Sequence, residues 1–201
     1  MNMKMEEKYL KNIVTSGEAA MSAINQNRFG KYFFHLGPVR DESIFKRVKK
    51  NQTTIENSEF ILCTGLFDEH EEDLDYYKDL LKKHLSKKFV CTNPDLTVHR
   101  GNKEEYCAGI VAQIFEAMGG EVIYFGKPYP EVYNQSIDNK NKKILAIGDN
   151  LNTDIKGANL LNYDSLLISN GIHRNEIKNK GIQDVSKEYE AIVNFIQSDL
   201  K

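Results

Sequence analysis

Apolar residues in this chain fall into two kinds of segment that alternate along its length. Short apolar or β-branched runs read as strands: Tyr32 to Leu36, Phe60 to Cys63, Lys88 to Cys91, Val122 to Phe125, Ile144 to Ile147 and Asp164 to Ser169. Between them, apolar residues recur at helical spacing. Ala19, Ala20, Met21 and Ile24 predict a helix capped by Ser16, and Leu74, Tyr77, Leu80, Leu81 and Leu85 predict a second. Further helices are expected near Glu42 to Lys49, from about Glu104 to Met118, after Pro130 and over Lys187 to Leu200. Residues 1–12 read as polar and weakly helical, Ile13 to Thr15 as a short strand, and Asn93 to Gly101 as a loop. Strands that alternate with helices in this way predict an α/β fold with parallel sheets.

Ile144 to Ile147 carries apolar residues on both faces, the mark of a parallel strand buried on both sides. It ends in Gly148-Asp149, and a second carboxylate, Asp154, follows a four-residue loop. A carboxylate at the carboxyl end of such a strand lies where open α/β sheets bind ligands, and the pair suits a divalent cation beside a phosphate. A calcium loop starting at Asp149 is excluded, because Leu151, Asp154 and Leu160 stand where oxygen ligand, glycine and glutamate are required. The competing structural reading makes Asn152 or Thr153 a helix cap and Asp154 a partner of the helix dipole. Upstream, Lys127 sits between Gly126 and Pro128 at a strand-to-helix junction, where its ammonium can reach a phosphate as a point charge.

Composition narrows the function classes. With 27 basic against 29 acidic residues and no basic block interleaved with aromatics, nucleic acid is not an expected partner. No apolar run has the length of a membrane span, and the amino terminus is charged, so a cytoplasmic protein is expected. The three cysteines form no C-x-x-C pair and read as buried free thiols.

The segments G-K-P-x-P-E at Gly126 to Glu131 and G-D-N-x-x-T-D-I-x-G-A at Gly148 to Ala158 resemble motifs three and four of the haloacid dehalogenase (HAD) superfamily. With Thr15 to Ala20, Cys63 to Phe67, Asn93-Pro94-Asp95 and Tyr106 to Gly109, the resemblance is to class IIA phosphatases. It implies a partial HAD-like (Rossmannoid) parallel-sheet core plus an α/β C2-type cap. Residues 1–16 would be a remnant of the core, 17–120 the cap and 121–201 the carboxyl-terminal part of the core. It further implies a small phosphorylated metabolite as substrate, Mg²⁺ as cofactor, Asp149 and Asp154 as metal carboxylates and Lys127 as the charge on the phosphate. Asn93 and Asp95 would meet the substrate's leaving group, although Asn-Pro-Asp is equally a turn. His173 could line the site or be incidental, as could His99 and Arg100.

The chain departs from the family in one respect. The aspartate nucleophile of motif one and the hydroxyl residue of motif two have no counterpart: the lone D-x-D, Asp73-Leu74-Asp75, follows no apolar strand and reads as a solvated helix start. Thr15-Ser16 and Thr92 imitate motif two but match cap landmarks instead. The expectation is a truncated or split phosphatase, inactive alone and binding Mg²⁺ weakly, with an amino-terminal fragment as the partner able to supply the missing motifs. The alternatives are a non-catalytic small-ligand-binding or regulatory module, and a degenerate fragment.

Overall fold

The computed structural model describes residues 13–100, 103–137 and 142–200. The side chains of His99, Arg100 and Lys103 also lie outside the described set, as does the expected helical tendency of residues 1–12. The chain forms two compact units, Met1–Gly126 and Lys127–Lys201.

In the first unit, helix α1 (Ser16–Asn25) leads into a parallel sheet of β1 (Phe33–Leu36), β2 (Phe60–Cys63), β3 (Lys88–Cys91) and β6 (Val122–Tyr124), in that spatial order. The register is continuous, with Leu36↔Cys63, Cys63↔Cys91 and Cys91↔Tyr124 as partners. β2 is buried at every residue, as an apolar run covered on both faces must be. Phe60 and Leu62 join Phe33, Phe45, Ala20, Ile24 and Phe125 in the core beneath α1. On the other face Phe89 packs 4.9 Å from Phe115 of α3 (Ala108–Ala117), and the thiols of Cys63 and Cys91 are fully buried. Burial drives both thiols up, that of Cys91 to about 12.

Four local differences from the sequence pattern have physical causes. Thr15 is the cap of α1, not the end of a strand: its hydroxyl accepts from the Glu18 amide at 3.1 Å and Glu18 reaches back to the Thr15 amide. Between β1 and β2 the expected helix is replaced by 3₁₀ turns at Val39–Ser43 and Lys49–Asn51. Phe45 is the buried anchor there, 5.3 Å from Phe33, while Ile44 faces solvent, so no helical stripe forms. α2 (Leu74–Leu81) stops a turn early, and Asp73 caps it by accepting from the Tyr76 amide while Asp75 pairs with Lys78 at 2.7 Å. The only D-x-D is therefore a helix start. The segment read as a loop running into a helix is a hairpin, β4 (Thr97–Arg100) against β5 (Lys103–Tyr106), closed by the Cys107 amide donating to the Leu96 carbonyl. Glu104 and Glu105 are thus strand residues.

The second unit starts with α4 (Pro130–Ser136), whose proline occupies the first turn where its missing N–H costs nothing. β7 (Leu145–Gly148), β8 (Asp164–Ile168) and β9 (Phe195–Gln197) form a parallel sheet in that order. α5 (Lys156–Leu160), α6 (Arg174–Lys180) and α7 (Ile182–Glu188) complete the unit, with Leu151, Ile155, Leu167, Val185 and Ala191 as its core. The carboxyl-terminal helix expected over residues 187–200 does not form. Glu190 takes a positive φ of 50° and breaks it, and Phe195 to Gln197 instead pair with Leu166 to Ile168.

Two assignments of core strands also change. The strand Val122–Tyr124, expected at the head of the core, hydrogen-bonds to β3 and completes the first sheet. β7, expected to be buried on both faces, has one face open, and its one partner among the described residues is β8. Leu145 is 47% and Ile147 49% exposed. By the register, Leu166 and Phe195 share their face.

Tyr77 is fully buried and its hydroxyl accepts from the Phe67 amide at 2.7 Å. Tyr77→Phe leaves that amide without a partner and should cost the first unit about 1–2 kcal/mol. A lower urea midpoint with an unchanged slope is the expected reading; an unchanged midpoint would show that the bond contributes nothing.

Candidate functional site

The second unit gathers its polar side chains at the carboxyl end of β7. Gly148 ends the strand, Asp149 follows, and Asn150 to Ile155 form a single π turn in which both the Asp154 and Ile155 amides donate to the Asn150 carbonyl. The turn is capped by Asn150, whose side chain accepts from the Asn152 amide at 2.9 Å. The cap is therefore neither Asn152 nor Thr153. Winding the chain this tightly brings Asp154 back beneath the strand end.

Asp154 is only 7% exposed. One carboxylate oxygen pairs with the Lys127 ammonium, and the other accepts from the Asn150 amide at 3.1 Å. Its backbone carbonyl accepts from the Tyr133 hydroxyl at 3.5 Å, and burial, then the Asp154 charge, push that phenol up to about 12. Lys127 itself is half exposed, so its buried partner fixes the position of a cation that still faces solvent. Gly148 makes room for this arrangement: a Cβ there would lie 2.2 Å from the Asp154 carboxylate carbon. Gly157 gives way to the Tyr133 ring in the same manner.

Asp149 is held from the opposite side. One of its oxygens accepts from the Ile172 amide at 3.1 Å, and a Cβ on Gly171 would strike its side chain at 2.2 Å. Its second oxygen meets no protein donor among the described residues. His173 is buried at 6% exposure and supports this loop. Nε2 accepts from the Leu151 amide at 3.2 Å, which leaves Nδ1 as the protonated nitrogen, donating to Glu176 at 3.0 Å. The hydrogen bond from His173 holds the Glu176 carboxyl below its ordinary value. His173 therefore braces the turn that follows Asp149.

Lys127, Asp149, Asp154 and His173 are thus brought together in one unit. Asn93 and Asp95 belong to the first unit. The Asn93 side chain accepts from the Asp95 amide at 3.1 Å, forming an Asx turn, and Asp95 is exposed. Asn93 also lines a cavity of about 820 Å³ at the carboxyl ends of β1, β2 and β3, together with Thr64, Gly65 and Tyr106. Sequence reasoning passed over Asn150, Tyr133, Glu176 and Gly171; of these, only the Asn170-Gly171 turn after β8 carried a local signal. Among the described residues no three His, Cys, Asp or Glu side chains converge as a metal cluster.

Lys127, held by the buried carboxylate of Asp154, and Asp149 thus stand at the carboxyl end of a parallel strand on an α/β fold. The HAD-hydrolase-like family profile matches residues 124–193, the segment that carries these residues. The dihydroxyacetone phosphatase of Corynebacterium glutamicum is 30% identical over 89 residues, covering 42% of this chain and 32% of that protein. The ribonucleotide monophosphatase NagD of Escherichia coli is 27% identical over 88 residues, covering 42% and 34%. The matched segments thus span about a third of the length of these relatives. A haloacid dehalogenase-like hydrolase from Brucella suis superposes with a TM-score of 0.68 at 32% identity, covering 80% of this chain and 62% of that one. These similarities support the haloacid dehalogenase superfamily, class IIA, for this chain.

Gly148→Ala should push the Asp154 carboxylate away from Lys127 and Asn150. The expected loss is about 1–3 kcal/mol of stability, as for other overpacked sites, together with a shifted Lys127 side-chain signal by NMR. An unchanged signal would show that the turn relaxes without moving Asp154. The His173–Glu176 contact has a defined pH sense. Glu176 is depressed below 4.5, so its contribution is complete above pH 4.5 and is lost as pH falls through the depressed value. Glu176→Gln should therefore make the second unit less sensitive to acid below pH 4.5 than the parent, followed by tyrosine fluorescence.

Proposed function

We propose that these 201 residues carry the phosphate- and metal-binding part of a class IIA phosphomonoester phosphatase, with the second unit as part of the core and the first as its cap. The observation that carries this reading is the Lys127 ammonium, held by a buried Asp154 beside the partly open carboxylate of Asp149. Lys127 would neutralise the equatorial oxygens of a bound phosphoryl group. The substrate class is a small phosphorylated metabolite, as the names of the two phosphatase relatives suggest, handled in the cytoplasm without nucleic acid or membrane. No described helix is long and apolar enough to cross a membrane.

The donor set fits magnesium, at low affinity. Mg²⁺ takes one or two carboxylates and keeps several waters. Asp149 has an oxygen to offer, whereas both oxygens of Asp154 are engaged, so Asp149 is the direct ligand and Asp154 the supporting carboxylate. When bound, the ion would supply positive charge to the phosphoryl oxygens. His173 keeps the Asp149 loop in place and Asn93 and Asp95 are assigned to leaving-group recognition from the cap.

Asp149, the carboxylate assembled here that follows an apolar strand, is assigned to the metal, so among the described residues none is assigned to accept the phosphoryl group. The chain by itself should therefore not turn over 4-nitrophenyl phosphate with Mg²⁺ above background. Turnover that survives stringent purification and disappears in Asp149→Ala would overturn this. Mn²⁺ should broaden the NMR signals around Gly148 and Asp149 and cease to do so in Asp149→Asn. Lys127→Ala should weaken inorganic phosphate binding about tenfold, the equivalent of one hydrogen bond to a charged group; unchanged binding would remove Lys127 from the site. A second reading, a non-catalytic ligand-binding module, is favoured by the cavity in the first unit, which needs no nucleophile to be occupied. Phosphate-independent ligand binding with no metal response would select it.

A further inference from the structure

The cavity of about 820 Å³ lies wholly in the first unit. It opens at the carboxyl ends of β1, β2 and β3, the side on which open parallel sheets take ligands, and its volume is that of a small-molecule pocket. One polar group in its lining is held from behind. Thr64 follows β2, and its hydroxyl lies 2.9 Å from Nε2 of His35, a residue of β1 that is only 6% exposed. Gly37 leaves the space for this pair: a Cβ there would come within 2.2 Å of the Thr64 hydroxyl and 3.0 Å of the histidine nitrogen. Burial lowers the pKa of His35, so the ring is neutral at neutral pH and does not offset negative charge near it.

That negative charge is concentrated around the cavity. Asp41, Glu71, Glu72, Glu104 and Glu105 line it, and the one cation in the lining, Arg40, is already paired with Asp68. Among the described residues the carboxylates of Asp41, Glu72 and Glu104 have no hydrogen-bonded or ionic partner. Asp41 is half-buried and lies over Gly65, where a Cβ would be 3.8 Å from its Oδ2. A partly desolvated carboxylate without a counter-charge is costly, and an entering cation removes the cost.

We propose that this cavity binds a small aliphatic diamine. A metal ion does not fit, because among the described residues no three carboxylates converge closely enough to hold one. The carboxylates come instead from three separate segments, after β1, before α2 and on β5, which suits a flexible ligand carrying more than one ammonium. Thr64 and Asn93 add the oxygen acceptors that the remaining ammonium N–H groups require. The site stands on the first unit and does not rest on the phosphatase reading. Combined with that reading, Asn93, which lines the cavity and is assigned to the leaving group, would make the substrate an amine-bearing phosphomonoester.

The test titrates putrescine into the full chain at low ionic strength, with butane-1,4-diol as its uncharged match. Amide NMR signals of Asp41, Thr64 and Gly65 should move with putrescine in the millimolar range and stay in place with the diol. Asp41→Asn should weaken binding about tenfold, the loss of one charge-assisted hydrogen bond. Should that variant unfold, Glu104→Gln on the exposed hairpin decides in its place. Asp79→Asn should change nothing, since Asp79 pairs with Lys82 outside the cavity. Equal shifts from the diol overturn the proposal. So do shifts spread along Asp68 to Asp75 without Thr64, binding indifferent to the cavity variant, and no shift at all. Inorganic phosphate and Mn²⁺ report on the second unit, so the diamine site and the phosphatase reading fail separately.

Discussion

A carboxylate buried to 7% exposure must find partners, and the way Asp154 finds them organises the second unit. Its two oxygens tie Lys127, at the start of the unit, to the amide of Asn150, after β7. A residue distant in sequence and one on the neighbouring turn are thus locked to the same strand end. The π turn, the glycine at 148 and the glycine at 157 all follow from bringing that carboxylate, and the Tyr133 ring beside it, into contact with the backbone. The solvent-facing half of Lys127 inherits its position from this buried half, so the site's positive charge is placed before any ligand arrives.

Asp149 is governed by a different constraint. Its carboxylate is confined between Gly171 and the Ile172 amide, and the loop after it is braced by His173, which accepts one hydrogen bond and donates another. The histidine thereby ties the Leu151 amide to the Glu176 carboxylate and holds the loop between them.

The parallel strands were legible in the sequence wherever the run was apolar on both faces: Phe60 to Cys63 and Lys88 to Cys91 form as read, to the residue. Lys127, Asp149 and Asp154 were legible as a motif because glycine and proline punctuate it. Legibility failed where a partner far along the chain decided the outcome. Phe195 to Gln197 has a helical-looking context, and only the open side of β8 makes it a strand. Lys103 to Tyr106 reads as a helix start until Thr97 to Arg100 pairs with it. Leu145 and Ile147 look like core residues because the sequence records hydrophobicity and not what covers it. Asn150 and Tyr133 act through a main-chain amide and a ring edge, neither of which has a sequence signature.

The register of the first sheet sets Cys63 directly beside Cys91, with both thiols sealed in the interior and pushed far from ionisation by burial. A thiol in that state does not attack a disulfide reagent until the sheet opens. All three cysteines belong to the first unit and none to the second. The molecule therefore carries a built-in clock: the rate at which Cys63 and Cys91 become reactive times the opening of one unit while remaining blind to the other.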